Sequence, residues 1–123
     1  MKALYTEVHR GREIVVIDYS MVPHEEEFAL MKYSLEYISK FKGSTALVLE
    51  IISGVKLNKA ILDYFPEYFD QIKGHVQRWA SVGFGEIIFK EMVTSNAIPR
   101  HSIRNKNIEW FESKEEAINF LVR

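Results

Sequence analysis

The chain has 123 residues and no cysteine. Disulfides, thiolate metal sites and cysteine nucleophiles are thereby excluded, while a reducing compartment is allowed. An excess of one charge is also missing, since 16 basic residues face 17 acidic ones for a net charge of -1. No global field draws the chain to nucleic acid or to an acidic membrane, and no nucleic-acid partner is expected. No stretch approaches the roughly 18 to 20 consecutive apolar residues of a membrane span, so no integral membrane association is expected. The opening "MKALYTEVHRGREIVVIDYS" places Glu7, His9, Arg10, Arg12 and Glu13 where a signal peptide needs an unbroken apolar core. A cytoplasmic protein is the expectation. What is present is 47% hydrophobic and 27% charged residues, the profile of one domain over 1–123 that buries its own core.

Two extended runs rich in Val, Ile, Tyr and Thr, over 3–10 and 13–19, flank Gly11-Arg12 and predict an antiparallel hairpin. Met21-Val22-Pro23 breaks the strand pattern, and "HEEEFALMKYSLEYISKF" then places Phe28, Met31, Leu35 and Ile38 on one helical face. Glu25, Glu26 and Glu27 fall in the first turn, where the helix dipole favours negative charge, and read as a solvated helix start. Gly43-Ser44 ends that helix. The run 45–52 is apolar except for Glu50, as in a strand covered on both faces. Helix, buried strand and helix in succession predict a crossover and a parallel or mixed sheet.

"NKAILDYFPEYFDQIKGH" repeats apolar residues at Ile61, Phe65, Phe69 and Ile72, with Asn58 as its N-cap and Pro66 placed to kink or divide the helix. An inner strand over 79–84, a short helix over 86–95 and a polar loop, "SNAIPRHSIRNKN", follow. A last strand over 108–111 leads to "SKEEAINFLVR", where Ser113 and Glu116 have the spacing of a capping box. The predicted fold class is a single α/β domain, an N-terminal β-hairpin followed by alternating helices and strands. About five strands form a mixed central sheet, with about four helices.

This order, the strand ending in "LEIISGVKLN", the "ASVGFGEIIF" junction and the closing "NIEWFESKEEAINFLV" resemble the SpoIIAA-like, or STAS-like, family of small bacterial domains. The resemblance covers most of the chain. It implies a mixed sheet with helices packed on it, a binding or regulatory role without catalysis, and frequent dimers. In the anti-sigma-factor antagonists of the wider group, a serine at the start of the helix after the third strand is phosphorylated to switch partner binding. Here Ser53-Gly54 matches the family's earlier, structural Ser-Gly, and the later switch region offers Lys56, Asn58 and Lys59 with no hydroxyl. Phosphorylation of Ser53 is therefore not expected.

Candidate sites follow from residue chemistry. A strand end followed by glycine and helix amides, at Ser53, Gly54, Lys56 and Asn58, is where an anion, nucleotide or lipid-like ligand would bind; the same ingredients also serve a plain turn. Gly83 and Gly85 lack the third glycine of a dinucleotide fingerprint. His9, His24, His75 and His101 show no helical metal-ligand spacing, no nucleophile elbow is present, and Asp18 reads as a turn or cap acceptor. Arg100, His101, Arg104 and Lys106 form the most basic stretch, with Trp79 and Trp110 as aromatic residues placed for the same end of the sheet. Tyr64, Phe65, Tyr68 and Phe69 supply more aromatic area than one helical face needs, which predicts an interface with a protein partner or a homodimer. No cofactor, metal or enzymatic activity is expected. The reading is a STAS-like regulatory or interaction module acting through protein contacts, with small-molecule binding as the alternative.

Overall fold

Arg10 and Gly11 both adopt positive φ, 51° and 74°, the turn that a right-twisted two-residue hairpin requires. They join strand β1 (Leu4–His9) to β2 (Arg12–Asp18) in antiparallel register, from Leu4 opposite Ile17 to His9 opposite Arg12. The structure is a computed structural model that describes residues 2–53, 59–83 and 107–123. Helix α1 (Glu27–Ile38) leads to β3 (Ala46–Ile51), and helix α2 (Lys59–Ile72) leads to β4 (Val76–Val82). β5 (Ile108–Phe111) and helix α3 (Lys114–Val122) complete the described chain.

The five strands lie in the order β1-β2-β3-β4-β5. β1 is antiparallel to β2, and each later neighbour is parallel, so the sheet is mixed behind an N-terminal hairpin. Parallel strands need covered faces, and β3 has both: Ala46 and Val48 point to one core, Leu47 and Leu49 to the other. The first core lies under α1 and α2, and the second under α3.

Several element details differ from the sequence reading. α1 is preceded by a 3-10 turn over His24–Glu26, and its buried face comprises Glu27, Leu30, Met31, Ser34 and Ile38. Phe28 and Leu35 are only half-buried, because the helix is rotated to bring two polar side chains inward. Pro66 removes one amide from the ladder of α2 but does not divide the helix. Phe65 on one side of it and Tyr68, Phe69 and Ile72 on the other are all anchored in the core, which holds both turns in place. β4 starts at Val76, ahead of the apolar stretch, because Val76, Gln77 and Arg78 are half-buried edge-of-core residues. The expected helix over 86–95 and the N-cap at Asn58 lie outside the described residues.

Ser113 caps α3 as its spacing predicts: its hydroxyl oxygen accepts from the Glu116 amide at 3.2 Å and donates to the Glu116 carboxylate at 3.1 Å. At the other end the Arg78 guanidinium donates to the carbonyls of Leu121 at 3.1 Å and Arg123 at 2.7 Å. A cation on the last carbonyls complements the helix dipole and ties α3 to β4.

Candidate functional site

Ser53 and Gly83 meet where β3 and β4 end. The Ile52 amide donates to the Val82 carbonyl at 2.9 Å, which carries the strand pairing one step past β3. Gly83 then takes φ of 101°, and a Cβ there would strike the Ser53 hydroxyl and stand 2.7 Å from the Ser53 amide nitrogen. Glycine is thus required at 83 by both backbone conformation and a close approach. Ser53 itself is exposed. Gly54, Lys56 and Asn58, the rest of the expected ligand loop, lie outside the described residues, as do Gly85, Arg100, His101, Arg104 and Lys106.

Beneath α1 and α2, at the carboxyl end of the parallel strands, lies a set of polar groups that the apolar pattern conceals. Glu50 occupies the inward position after Ala46 and Val48 and is 3% exposed. Its Oε1 accepts from the Ser81 hydroxyl at 3.3 Å, and the Ser81 oxygen in turn accepts from the Trp79 indole nitrogen at 3.2 Å. Burial pushes the Glu50 carboxyl up to about 7, against the smaller opposing effect of the Ser81 hydrogen bond. A second strand of the network joins the helices. Ser34 donates to the Met31 carbonyl at 2.7 Å, which uses its only proton, so the Tyr68 hydroxyl donates to Ser34 across 2.8 Å. Burial, followed by the nearby Glu50 charge, pushes the hydroxyls of both Tyr68 and Tyr19 well above their ordinary range.

Glu27 is a further buried acid, 1% exposed at the start of α1. His24 Nδ1 lies 3.1 Å from its Oε2, while Oε1 has no hydrogen-bond partner among the described residues. The reading of Glu25, Glu26 and Glu27 as a wholly solvated run is corrected at Glu27: helix rotation carries it inward. Asp18 acts as a cap, its Oδ1 accepting from the Ser20 amide at 3.0 Å. The histidines stay separate, with His9 on Glu7, His75 on the Phe41 carbonyl and His24 on Glu27; His101 is not described. Among the described residues no group of three His, Asp or Glu can hold a metal.

The aromatic residues of α2 are divided between core and surface. Tyr68 is 0% exposed and meets Trp79 edge-on at 6.2 Å, while Phe65 and Phe69 are buried and stack at 6.3 Å. Their aromatic area covers the chain's own sheet, so of the four expected interface residues only Tyr64 reaches the surface in part. Tyr64 packs edge-on against Phe28 of α1 at 5.3 Å, and the Lys32 ammonium stands 4.8 Å from the Phe28 ring centre and 5.9 Å from that of Tyr64. The Tyr68–Ser34 hydrogen bond fixes this ridge from below, because it links α2 to α1 directly. Periodicity finds the aromatic residues of α2, but only the partners on α1 separate Tyr64 from the other three.

Trp79 and Trp110 differ in the same way: Trp79 is core and Trp110 is half-buried on β5. Two shallow depressions flank α3. One of about 640 Å³ is floored by Phe111 and Phe120, and one of about 410 Å³ lies beside His9, Arg10 and Lys114. No helix among the described residues is long and apolar enough to cross a membrane. Comparison with protein-family models, curated proteins and solved structures finds no match to this chain.

Proposed function

We propose that the chain is a STAS-like, non-enzymatic interaction module that binds a protein partner in the cytoplasm through the outer ridge of α1 and α2. The observation that carries this reading is the surface formed by Phe28, Tyr64 and Lys32, two half-buried rings crossed by one exposed ammonium. Aromatic rings already held by their own contacts lose little freedom on docking, and a cation over their faces adds a charge that selects an acidic partner. The element order, the mixed sheet and the capped closing helix support the STAS-like assignment. Recovery of a partner from the native host tests the proposal. Wild-type protein retains it, and Lys32→Glu and Tyr64→Ser lose it while keeping their circular dichroism. Failure to recover any partner, or retention by both variants, rejects it.

A second reading, a small-molecule site at the carboxyl ends of the strands, is favoured by Glu27 Oε1, which has no hydrogen-bond partner among the described residues. A buried acceptor of this kind suits a ligand that donates a hydrogen bond, and Glu50, a second buried acid beneath the same helices, disfavours an anion. Thermal-shift measurements with amine, nucleotide and acyl compounds test it: stabilisation lost on Glu27→Gln supports the site, and no stabilisation by any class removes it.

A further inference from the structure

β1 is the end strand of the sheet, and its outer edge carries backbone groups that no described strand satisfies. The hairpin determines which groups they are. A two-residue turn makes His9 and Arg12 a hydrogen-bonded pair, and the pattern alternates from there, so Glu7 and Tyr5 also bond inward to β2. The Asp18 amide, donating to the Ala3 carbonyl at 2.7 Å, has the same phase. Leu4, Thr6 and Val8 therefore each aim an N–H and a C=O away from the sheet. Their side chains share the face covered by α1, where Leu4 packs into the core, Thr6 is exposed and Val8 is 67% exposed. Of the features that commonly close such an edge, proline, lysine and a bulge are absent from the strand LYTEVH, whose one acidic side chain is Glu7.

We propose that β1 pairs antiparallel with β1 of a second copy about a two-fold axis at Thr6, which joins two sheets into one continuous sheet. An isologous contact must be self-complementary, and this register is. Thr6 faces the partner's Thr6, Leu4 faces the partner's Val8 on both sides of the axis, and Tyr5 faces the partner's Glu7. All the outward groups of Leu4, Thr6 and Val8 are satisfied, and the exposed Val8 gains an apolar cross-strand neighbour. The Glu7 carboxylate already lies 2.9 Å from His9 and 3.0 Å from Lys114, so it brings a compensated charge to the joint.

The registers shifted toward the turn are worse. An axis at Glu7 sets two carboxylates directly opposite each other, and an axis at Val8 runs the overlap into the Arg10-Gly11 turn. Tyr33, also strongly exposed at 59%, reinforces the choice of edge. It stands about 140° round α1 from Phe28, by the helical repeat. Phe28 faces α2, so Tyr33 lies on the flank turned toward β1.

Sedimentation of the full chain through the micromolar range tests the pairing, with the mass expected to rise from 14.4 kDa to twice that value. Thr6→Pro removes an outward amide without touching the β1–β2 ladder, and Val8→Lys places a charge at the joint. Each is expected to weaken association about tenfold or more with the far-ultraviolet spectrum unchanged. Val8→Lys decides the matter if Thr6→Pro disturbs folding. Thr6→Cys supplies the chain's only thiol, and opposite residues in a hydrogen-bonded pair stand about 5.5 Å apart, within disulfide reach. It is expected to cross-link on mild oxidation, whereas Glu36→Cys on the outer face of α1 does not. A wild-type chain that stays monomeric, a Val8→Lys chain that associates like wild type, or equal cross-linking by the two cysteines overturns the proposal. None of these outcomes bears on partner binding by Phe28, Lys32 and Tyr64, so the two proposals fail separately.

Discussion

Under α3 the sheet presents Ile14, Val16, Leu47, Leu49, Ala80 and Val82, an aliphatic surface closed by Ala117, Phe120, Leu121 and Val122. Under α1 and α2 the alternate residues of the same strands include Glu50 and Ser81 beside Val15, Ile17, Val48 and Trp79, and the helices add Glu27, Ser34 and Tyr68. Period-two alternation lets one set of strands serve both chemistries. The aliphatic face gains from burial in nearly any close-packed arrangement, so Arg78 and the Ser113 cap locate α3 from its two ends. The mixed face needs particular partners at particular distances, and those partners locate two helices from beneath. Position is set at the margins on one side of the sheet and from within on the other.

Leu121→Ala attacks the aliphatic face and has the largest expected effect. A fully buried leucine truncated to alanine costs about 4 kcal/mol, and because Tyr5, the titratable side chain packed against the aliphatic core, has its hydroxyl pushed up by burial, the loss should be the same from acid to neutral pH. Urea melts at several pH values measure it, and a loss that varies with pH would blur the distinction between the faces.

Glu50→Gln attacks the mixed face and runs the other way. The folded carboxyl titrates at about 7 against an ordinary 4.5, so between those values the folded chain keeps a proton that the unfolded chain has released. Stability from this group is complete below about pH 4.5 and is lost as the pH rises through about 7. Glutamine is neutral throughout. The variant should match wild type in acid and exceed it by roughly 3 kcal/mol above neutrality, where a charged Glu50 is a burden. Parallel melts from acid to alkaline pH would show the gap opening; a constant gap would mean that Glu50 is not the titrating group.

Smaller effects separate the two ways of locating a helix. Tyr68→Phe deletes the hydroxyl that reaches Ser34 and is expected to cost about 1.5 kcal/mol, with Ser34→Ala adding little further loss in the double variant. Full additivity would show that the hydroxyls do not act as a pair. Ser113→Ala removes the α3 cap at a cost of about 1 kcal/mol, and hydrogen exchange should quicken in the first turn of α3 alone. Exchange that quickens across α1 as well would show that the faces are coupled.

Local signals were legible in the sequence wherever the determining partner lay close by. The hairpin, the apolar alternation of β3 and the Ser113-x-x-Glu116 cap each depend on residues a few positions apart. Glu50 illustrates the limit, for it appears in sequence as one interruption of an apolar run. Its meaning depends on Ser81, 31 residues away, and on Tyr68 overhead. Gly83 reads as a fragment of a nucleotide fingerprint until Ser53 is seen against it. The α2 aromatic residues are recognisable as a cluster, but their division into core and ridge depends on the rotation of α1. That rotation is set by Glu27 and Ser34, polar residues that hydropathy assigns to the outside.

The strand order β1-β2-β3-β4-β5 has a consequence for the chain during its synthesis. Each new strand adds beside the one made just before it, so the sheet can grow in step with the ribosome without waiting for a distant segment. The two faces are not finished together. α1 and α2 emerge between the strands they cover, but α3, the cover of Ile14, Val16, Leu47 and Leu49 among the described residues, follows all five. A nascent chain halted before residue 114 would lack the part of this aliphatic cover that α3 supplies, and would need a chaperone more than the finished chain does.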